Sequence, residues 1–500
     1  MFEKITPEEA GISSSKVVEF IEMLCNRKFP MHSVLMMKGD KLFAEYYWSP
    51  FNKEFCHRMY SQTKSYTAIA IGLLEEEGKI NLDRPISEYF SEKINTTLPH
   101  HLAKQTTREM LTMSTSGNCA DWFSNEKYDD RTMLYFNCNR TDENSHASGT
   151  TWAYDSAGSQ VMANLVEKMS GMSLFDYLNE KIFRHLGTFK TATILKTKNG
   201  DSWGDSALIC TPRDMISFAR FVMNYGVWNG KRLMNENFLK AATSKQVSNS
   251  EWGFGAYGHG YGYQIWKTEQ NGFAFNGMGG QITICLPEQD LIFVCTADTQ
   301  GIGHANEVIT SGFYDFIANF MSNEPQPKDN EAEKRLKLLS DKLKLFCLNG
   351  NSDSPMRKEI DGTIYECFSN PMGWKKFSFH FKNASEGKLH YTNTQGDKVI
   401  PFGVNYNVFG KFPELGYSNE RGGVKTTDGF MYDDAVSFAW LEDHKIGIKI
   451  QIIDKYFGNA NLFFGFKGDD VTIKMTKSAE NFLDEYEGIA TGKKIKIEKE

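Results

Sequence analysis

In the last third of the chain the apolar residues fall on every second position. Ile446, Ile448, Ile450 and Ile452 alternate with Gly447, Lys449 and Gln451, a period of two that suits a strand with one buried face. FSFHFK, KLHYTN, AVSFAWL, KIGIKIQIID, NLFFGF and VTIKM repeat that habit between residues 377 and 475. The tail is thereby restricted to a small β barrel or sandwich.

Upstream the period changes. SSSKVVEFIEMLCN begins with helix-capping serines and carries apolar residues at helical spacing, and HSVLMMKGDKLFAEYYW reads as two strands about a Gly39-Asp40 turn. An apolar helix from Ser61 to Glu77 is stopped by Gly78, and helices with short loops continue to about residue 245. QITICLPEQDLIFVCTA reads as a strand pair around Pro287, and ANEVITSGFYDFIANFM as a closing helix. Residues 323 to 334, NEPQPKDNEAEK, are polar with two prolines and mark a linker, and RLKLLSDKLKLF after them predicts one amphipathic helix. The expected division is 1–322, a linker and helix over 323–349, and a β-rich domain over 350–500. A chain of 500 residues requires such a division, because single cores stop growing near roughly 250 to 300 residues.

Composition narrows the function. With 56 basic against 63 acidic side chains the net charge is -7, so no electrostatic footprint for nucleic acid exists. No run approaches the roughly 18 apolar residues of a membrane span, and MFEKITPEEAGISSSK lacks the apolar core of a signal peptide, which predicts a cytoplasmic protein. Nine cysteines scattered without a CxxC pair predict buried thiols in a reducing compartment. The histidines form no HxH or HExxH, so no metal is expected. GMGG is followed by no helix and no GxxxxGK[ST] occurs, so no phosphate-binding cofactor is expected either. A Ser-His-Asp triad would need a GxSxG elbow, and none surrounds a candidate serine.

Ser61-Gln-Thr-Lys64 spells SxxK. At a helix start, residues i and i+3 share a face, so the Lys64 amine can reach the Ser61 hydroxyl and accept its proton, and the helix N-terminus favours negative charge developing there. Ser13 to Lys16, Ser124 to Lys127 and Ser385 to Lys388 spell the same motif. Only Ser61 opens a long apolar helix able to hold the pair inside a core. The alternative for Ser61 is an ordinary helix cap.

The text around it, MYSQTKSYTAIAIGLLEEEGKINLDRPISEYF, together with TPEEAGISS, REMLTMSTSG and YGYQIWKTEQNGFAFNGMGGQITICLPEQDLIFVCTAD, resembles the beta-lactamase and penicillin-binding-protein superfamily, nearest its class C-like esterase and peptidase branches. The similarity runs over roughly residues 1 to 322. It implies an α/β (α+β) fold, an antiparallel sheet built from the first and last strands with helices on both faces and a helical insertion, to which the tail adds a lipocalin-like or barrel appendage. The family's Tyr-x-Asn motif falls at Tyr154-Asp-Ser156, with serine in place of asparagine, and the resemblance makes Tyr154 the general base or proton shuttle. Its third motif falls at Phe275-Asn276-Gly277, where the usual lysine or histidine is missing. A cation there meets a substrate carboxylate, so its absence points to neutral esters or amides. Gly277 lets the backbone approach, and the N–H groups of Met278 and Ser61 would form an oxyanion hole; tight packing of a Gly-rich strand entry accounts for Gly279 and Gly280 equally well.

These observations converge on an acyl-transfer serine hydrolase with catalytic Ser61, Lys64 and Tyr154 and with Ser156, Phe275, Asn276, Gly277 and Met278 around the substrate, acting on a small-molecule ester or amide without nucleic acid, membrane or cofactor. The rival is a degenerate relative that keeps the pocket, or uses the tail, to capture a ligand.

Overall fold

The structure, a computed structural model, describes residues 2–117, 119, 122, 127–252, 255–416, 431–479 and 483–495. The chain separates into two compact units, one of residues 1–299 and 304–344, the other of 300–303 and most of the chain from 345 onward.

The first unit is built on a seven-stranded sheet in the order Glu3–Lys4, Lys41–Tyr47, Met31–Lys38, Leu291–Ala297, Gln281–Leu286, Phe273–Gly277, Trp266–Lys267. Only the first pairing is parallel. The strands expected on either side of Gly39 and of Pro287 are both present, and they meet in the middle of the sheet, where Val34 lies opposite Cys295 and Met36 opposite Phe293. Alternate residues feed two cores. Val34, Met36, Ile282, Ile284 and Phe293 pack on Phe20, Ile21 and Leu24 of the helix Ser14–Asn26 and on Ile309 and Phe313 of the helix Ala305–Phe316. Leu35, Met37, Phe273, Phe275 and Val294 face the helices Thr63–Glu76, Ser156–Ser170 and Pro212–Met223. These central strands are apolar at nearly every position because both faces are covered.

The helix after the prolines differs from its expected place. It runs Asn330–Ser340, starting inside the stretch read as linker. The reason is local: the Asp329 side chain accepts from the Ala332 N–H at 3.0 Å and caps a run of good helix formers. It belongs to the first unit, burying Ala332 and Leu336 and pairing Arg335 with Glu22 at 2.7 Å on the helix Ser14–Asn26.

The second unit is a closed β barrel. Gly396–Val404, Glu386–Asn393, Lys376–Phe381, Ile364–Cys367, Gly488–Lys494, Asp470–Ser478, Phe457–Lys467, Lys445–Ile453 and Met431–Glu442 follow one another around the wall. Gly403 and Val404 then pair in parallel with Ser437 and Phe438 and shut the ring, while Val408–Leu415 lies along the other half of Met431–Glu442. Inward positions hold Phe377, Phe379, Phe402, Phe438, Trp440, Phe464 and the four alternating isoleucines, all buried. Closure removes the exposed edges of an open sheet. Among the described residues no helix is long and apolar enough to cross a membrane.

Candidate active site

Ser61 sits on a turn whose shape is imposed from outside. After the short strand His57–Arg58 the backbone takes a left-handed step at Tyr60, φ 48°, through the 3-10 turn Tyr60–Gln62 into the helix Thr63–Glu76. Non-glycine residues adopt that step only where neighbours enforce it. Arg58 does so: its buried guanidinium lies 4.5 Å from the Tyr60 ring centroid and 4.6 Å from that of Trp203. It also donates to Ser206 O at 3.0 Å and to Ser206 Oγ at 3.1 Å. Behind it the ring nitrogens of His57 and His32 are 3.1 Å apart, and burial pushes both imidazoles down, His57 to about 3, which leaves a neutral pair. The cap of the long helix is Gln62, so capping does not account for Ser61.

Lys64 points back along the same helical face. Its Nζ donates to Ser61 Oγ at 3.1 Å and to the Asp205 carbonyl at 2.8 Å, with Asp205 Oδ2 at 3.7 Å, and both side chains are essentially buried. The loop bearing Asp205 reaches it because Gly204 has no side chain: a Cβ there would stand 2.2 Å from that of Ala163. Thr67 Oγ1 fastens the Gly204 carbonyl at 2.6 Å. Asp205 and Arg58 were not among the expected site residues. No spacing rule connects Asp205 to Lys64 across 141 positions, and the neighbouring text, WGDSA, has no helical or strand period.

Tyr154 comes to the same place, its ring centroid 5.2 Å from Lys64 Nζ and stacked on Trp266 at 5.9 Å. The next residue, Asp155, is the buried cap of the helix Ser156–Ser170 and accepts from Gly158 N and Thr115 Oγ1, each at 3.0 Å. Burial pushes its carboxyl up, against the pull of Arg140 and these donors. Ser156 opens that helix, half-buried, while the partners of the Lys64 ammonium are Ser61 and Asp205. Gln264 braces the arrangement: its backbone and side-chain carbonyls accept from Ser65 and Ser159, each at 2.7 Å, and its amide donates to Met110 O at 2.8 Å.

Phe275 requires a correction. It was expected beside the substrate, but its side chain is wholly buried, 5.9 Å from the Phe218 ring and 6.4 Å from that of Tyr66. Strand alternation turns Phe273 and Phe275 into one core and sends Ala274 and Asn276 to the opposite face. Gly277 does meet the Ser61 turn, since a Cβ on it would stand 2.2 Å from Met59 O and 3.3 Å from Gln62 N. Met278 follows with an exposed side chain and a carbonyl that accepts from Gln281 Nε2 at 3.3 Å.

The other SxxK serines do different work. Ser13 caps the helix Ser14–Asn26 while Lys16 pairs with Glu19 at 2.7 Å, and Ser385 hydrogen-bonds Asn383 at 2.9 Å in an exposed turn; Ser124 lies outside the described residues. Cys25, Cys138, Cys210, Cys285, Cys295 and Cys367 are free thiols. Among the described residues no three His, Cys, Asp or Glu side chains are grouped to hold a metal ion.

Residues 17–337 match the family profile described as Beta-lactamase. Over 280 residues the chain is 24% identical to the 6-aminohexanoate-dimer hydrolase of Paenarthrobacter ureafaciens, taking in 52% of this chain and 70% of that enzyme. A candidate 6-aminohexanoate-dimer hydrolase from Bacillus anthracis superposes with a TM-score of 0.51 at 20% identity, covering 65% of this chain and 89% of the other. A penicillin-binding protein homologue from Caulobacter crescentus gives 0.50 at 12% identity, covering 62% and 99%. At these identities the structural likeness speaks for the fold.

Proposed function

The chain belongs to the beta-lactamase family, and from that premise we propose that it is a serine hydrolase cleaving a carboxylic ester or amide through an acyl-enzyme on Ser61. The observation that carries this is the line from half-buried Ser61 to buried Lys64 and Asp205, with Nζ 3.1 Å from Oγ and 3.7 Å from the carboxylate. Asp205 gives the ammonium a counter-charge where solvation is lost. Because that ammonium already donates to Ser61 Oγ, the serine proton needs another acceptor, and Tyr154, acting as its phenolate with its ring flanking the same charge, is assigned that task. Oγ then attacks the carbonyl carbon, and the oxyanion is met by the N–H groups of Ser61 and Met278 where Gly277 keeps side chains out. Tyr154 returns the proton to the leaving group as the carbonyl re-forms. Water, deprotonated by the same route, releases the acid and restores Ser61.

The third motif favours neutral substrates over penicillins. The family resemblance implies a cation at the motif's first position, and this chain has Phe275 there, uncharged and filling the core. The barrel is assigned no part in the chemistry, and the free thiols of Cys25, Cys138, Cys210, Cys285, Cys295 and Cys367 suit a reducing compartment. Intact-mass analysis after exposure to a fluorophosphonate tests the reading. One adduct is expected, lost in Ser61→Ala without loss of the fold; an adduct of equal yield in that variant would falsify the assignment.

A further inference from the structure

We propose that Asn306 and Asn276 act together as a specificity device that presents a neutral hydrogen-bond donor to the substrate and selects an acyl group carrying an uncharged carbonyl next to the scissile bond. This rests on Ser61 being the nucleophile.

The amide orientations follow from chemistry. Asn306 Nδ2 lies 3.0 Å from Gly277 O and 2.8 Å from Asn276 Oδ1. A backbone carbonyl only accepts, so the Asn306 atom facing it must be the NH2 group. The same NH2 faces Asn276, whose facing atom must therefore be its oxygen. The NH2 of Asn276 is turned the other way, and among the described residues it has no acceptor. The arrangement is held by the helix Ala305–Phe316, seated through buried Ile309 and Phe313, which carries Asn306 in its first turn.

The strand brings Asn276 toward the Ser61 turn. Trp266–Lys267 pairs with the outer edge of the strand only at Phe273 and Ala274, so Asn276 and Gly277 run past it. Asn276 shares a sheet face with Ala274, the register partner of Trp266, and Trp266 carries the Tyr154 ring. The next residue, Gly277, abuts the Met59–Gln62 turn. A half-buried Asn276 thus lies between Ala274, whose register partner Trp266 stacks on Tyr154, and Gly277, which meets the Ser61 turn. Its NH2 can donate to an amide or ester carbonyl, has nothing to offer an ammonium group, and lacks the charge that would offset desolvation of a carboxylate.

The test uses the full chain and the nitrophenyl esters of acetate, N-acetylglycine and glycine. The parent is expected to prefer the N-acetylglycyl ester in kcat/KM. In Asn306→Leu the N-acetylglycyl to acetyl ratio should fall about ten-fold, chiefly through KM, the weight of one hydrogen bond to a neutral acceptor. Asn306→Asp reads the orientation itself and is isosteric should leucine unfold the chain. A carboxylate can only accept, so it gives up the bond to Gly277 O while Asn276 turns its NH2 inward and shows its oxygen to the substrate, and preference moves by a similar factor from the N-acetylglycyl to the glycyl ester. Ratios within two-fold of the parent in both folded variants overturn the proposal. Fluorophosphonate labelling of every variant separates the causes: unlabelled parent protein removes the nucleophile and this inference with it, whereas normal labelling with unmoved ratios removes only the inference.

Discussion

Glu45 of the first unit and Asp434 of the barrel are buried carboxyls handled in opposite ways. In the first, Glu45 accepts from Arg213 at 2.7 and 3.0 Å and from Tyr47 at 2.9 Å, and Lys4 lies 2.7 Å away. Burial pushes its carboxyl up, but these partners outweigh it and hold the group down at about 2. In the barrel, burial and neighbouring Asp433 push Asp434 up to about 7, and one of its oxygens has no hydrogen-bond partner. Glu414 there is met by neutral donors, Tyr486 at 2.8 Å and Asn393 at 2.9 Å, and is also raised by burial. Charges that face counter-charges can stay ionised and do work on a substrate; acids packed among aromatic rings are pushed toward neutrality.

Deleting one phenol hydroxyl in each unit tests that division most sharply. Tyr154→Phe should lower kcat by roughly 100- to 10,000-fold with the melting temperature unchanged. Tyr486→Phe should keep ester turnover near the parent rate while costing about 1–3 kcal/mol of stability, because Glu414 loses a donor. Turnover lost in both variants would break the comparison.

Next in size is Arg58→Met. Freed from the guanidinium, the Tyr60 step and the loop at Ser206 should relax, with kcat/KM down about 10- to 100-fold and about 2–4 kcal/mol of stability lost in denaturant titrations. Full activity at reduced stability would make Arg58 a packing residue only.

The pH dependences should run in opposite directions. Asp434 is raised from 3.8 to about 7 in the fold, so its contribution is complete below about pH 4 and is lost as pH rises toward 7. Asp434→Asn should therefore stabilise the barrel by about 3 kcal/mol at pH 8 and have little effect near pH 3.5. Glu45 is lowered from 4.5 to about 2, so its contribution is complete above about pH 4.5 and is lost as pH falls toward 2. Glu45→Gln should cost about 2 kcal/mol at pH 7 and nothing near pH 2. Parallel pH profiles for the two variants would show that the contrast in charge handling has no energetic weight.

Most elements were legible because their signals are local. The isoleucine ladder, the strand pairs at Gly39 and Pro287 and the apolar helix behind Ser61 each bury a face set by spacing alone. The strands Ile364–Cys367, Gly396–Val404, Val408–Leu415 and Gly488–Lys494 carry no such local signal, since GDKVIPFGV and GIATGKK break alternation with proline, glycine or polar residues and are held by partners on either side. Ser61 and Lys64 were readable because three residues of helix bring them together. Phe275 was misplaced because a motif position does not say which face of the sheet a side chain takes.

By itself the sequence determined the change of period between the two units, the strands and helices that follow from it, and the Ser61–Lys64 pair, all within the reach of backbone geometry over a few residues. Only the tertiary structure decided that Asp205 would pair with Lys64, that Arg58 would lie against Tyr60 at its left-handed step, that Asn306 would bond Asn276, and that Gly403 and Val404 would meet Ser437 and Phe438 to shut the barrel. Each joins segments far apart in the chain, and such contacts form because burial leaves a polar group or a strand edge no water to bind, a condition that exists only once the rest of the molecule has folded around it.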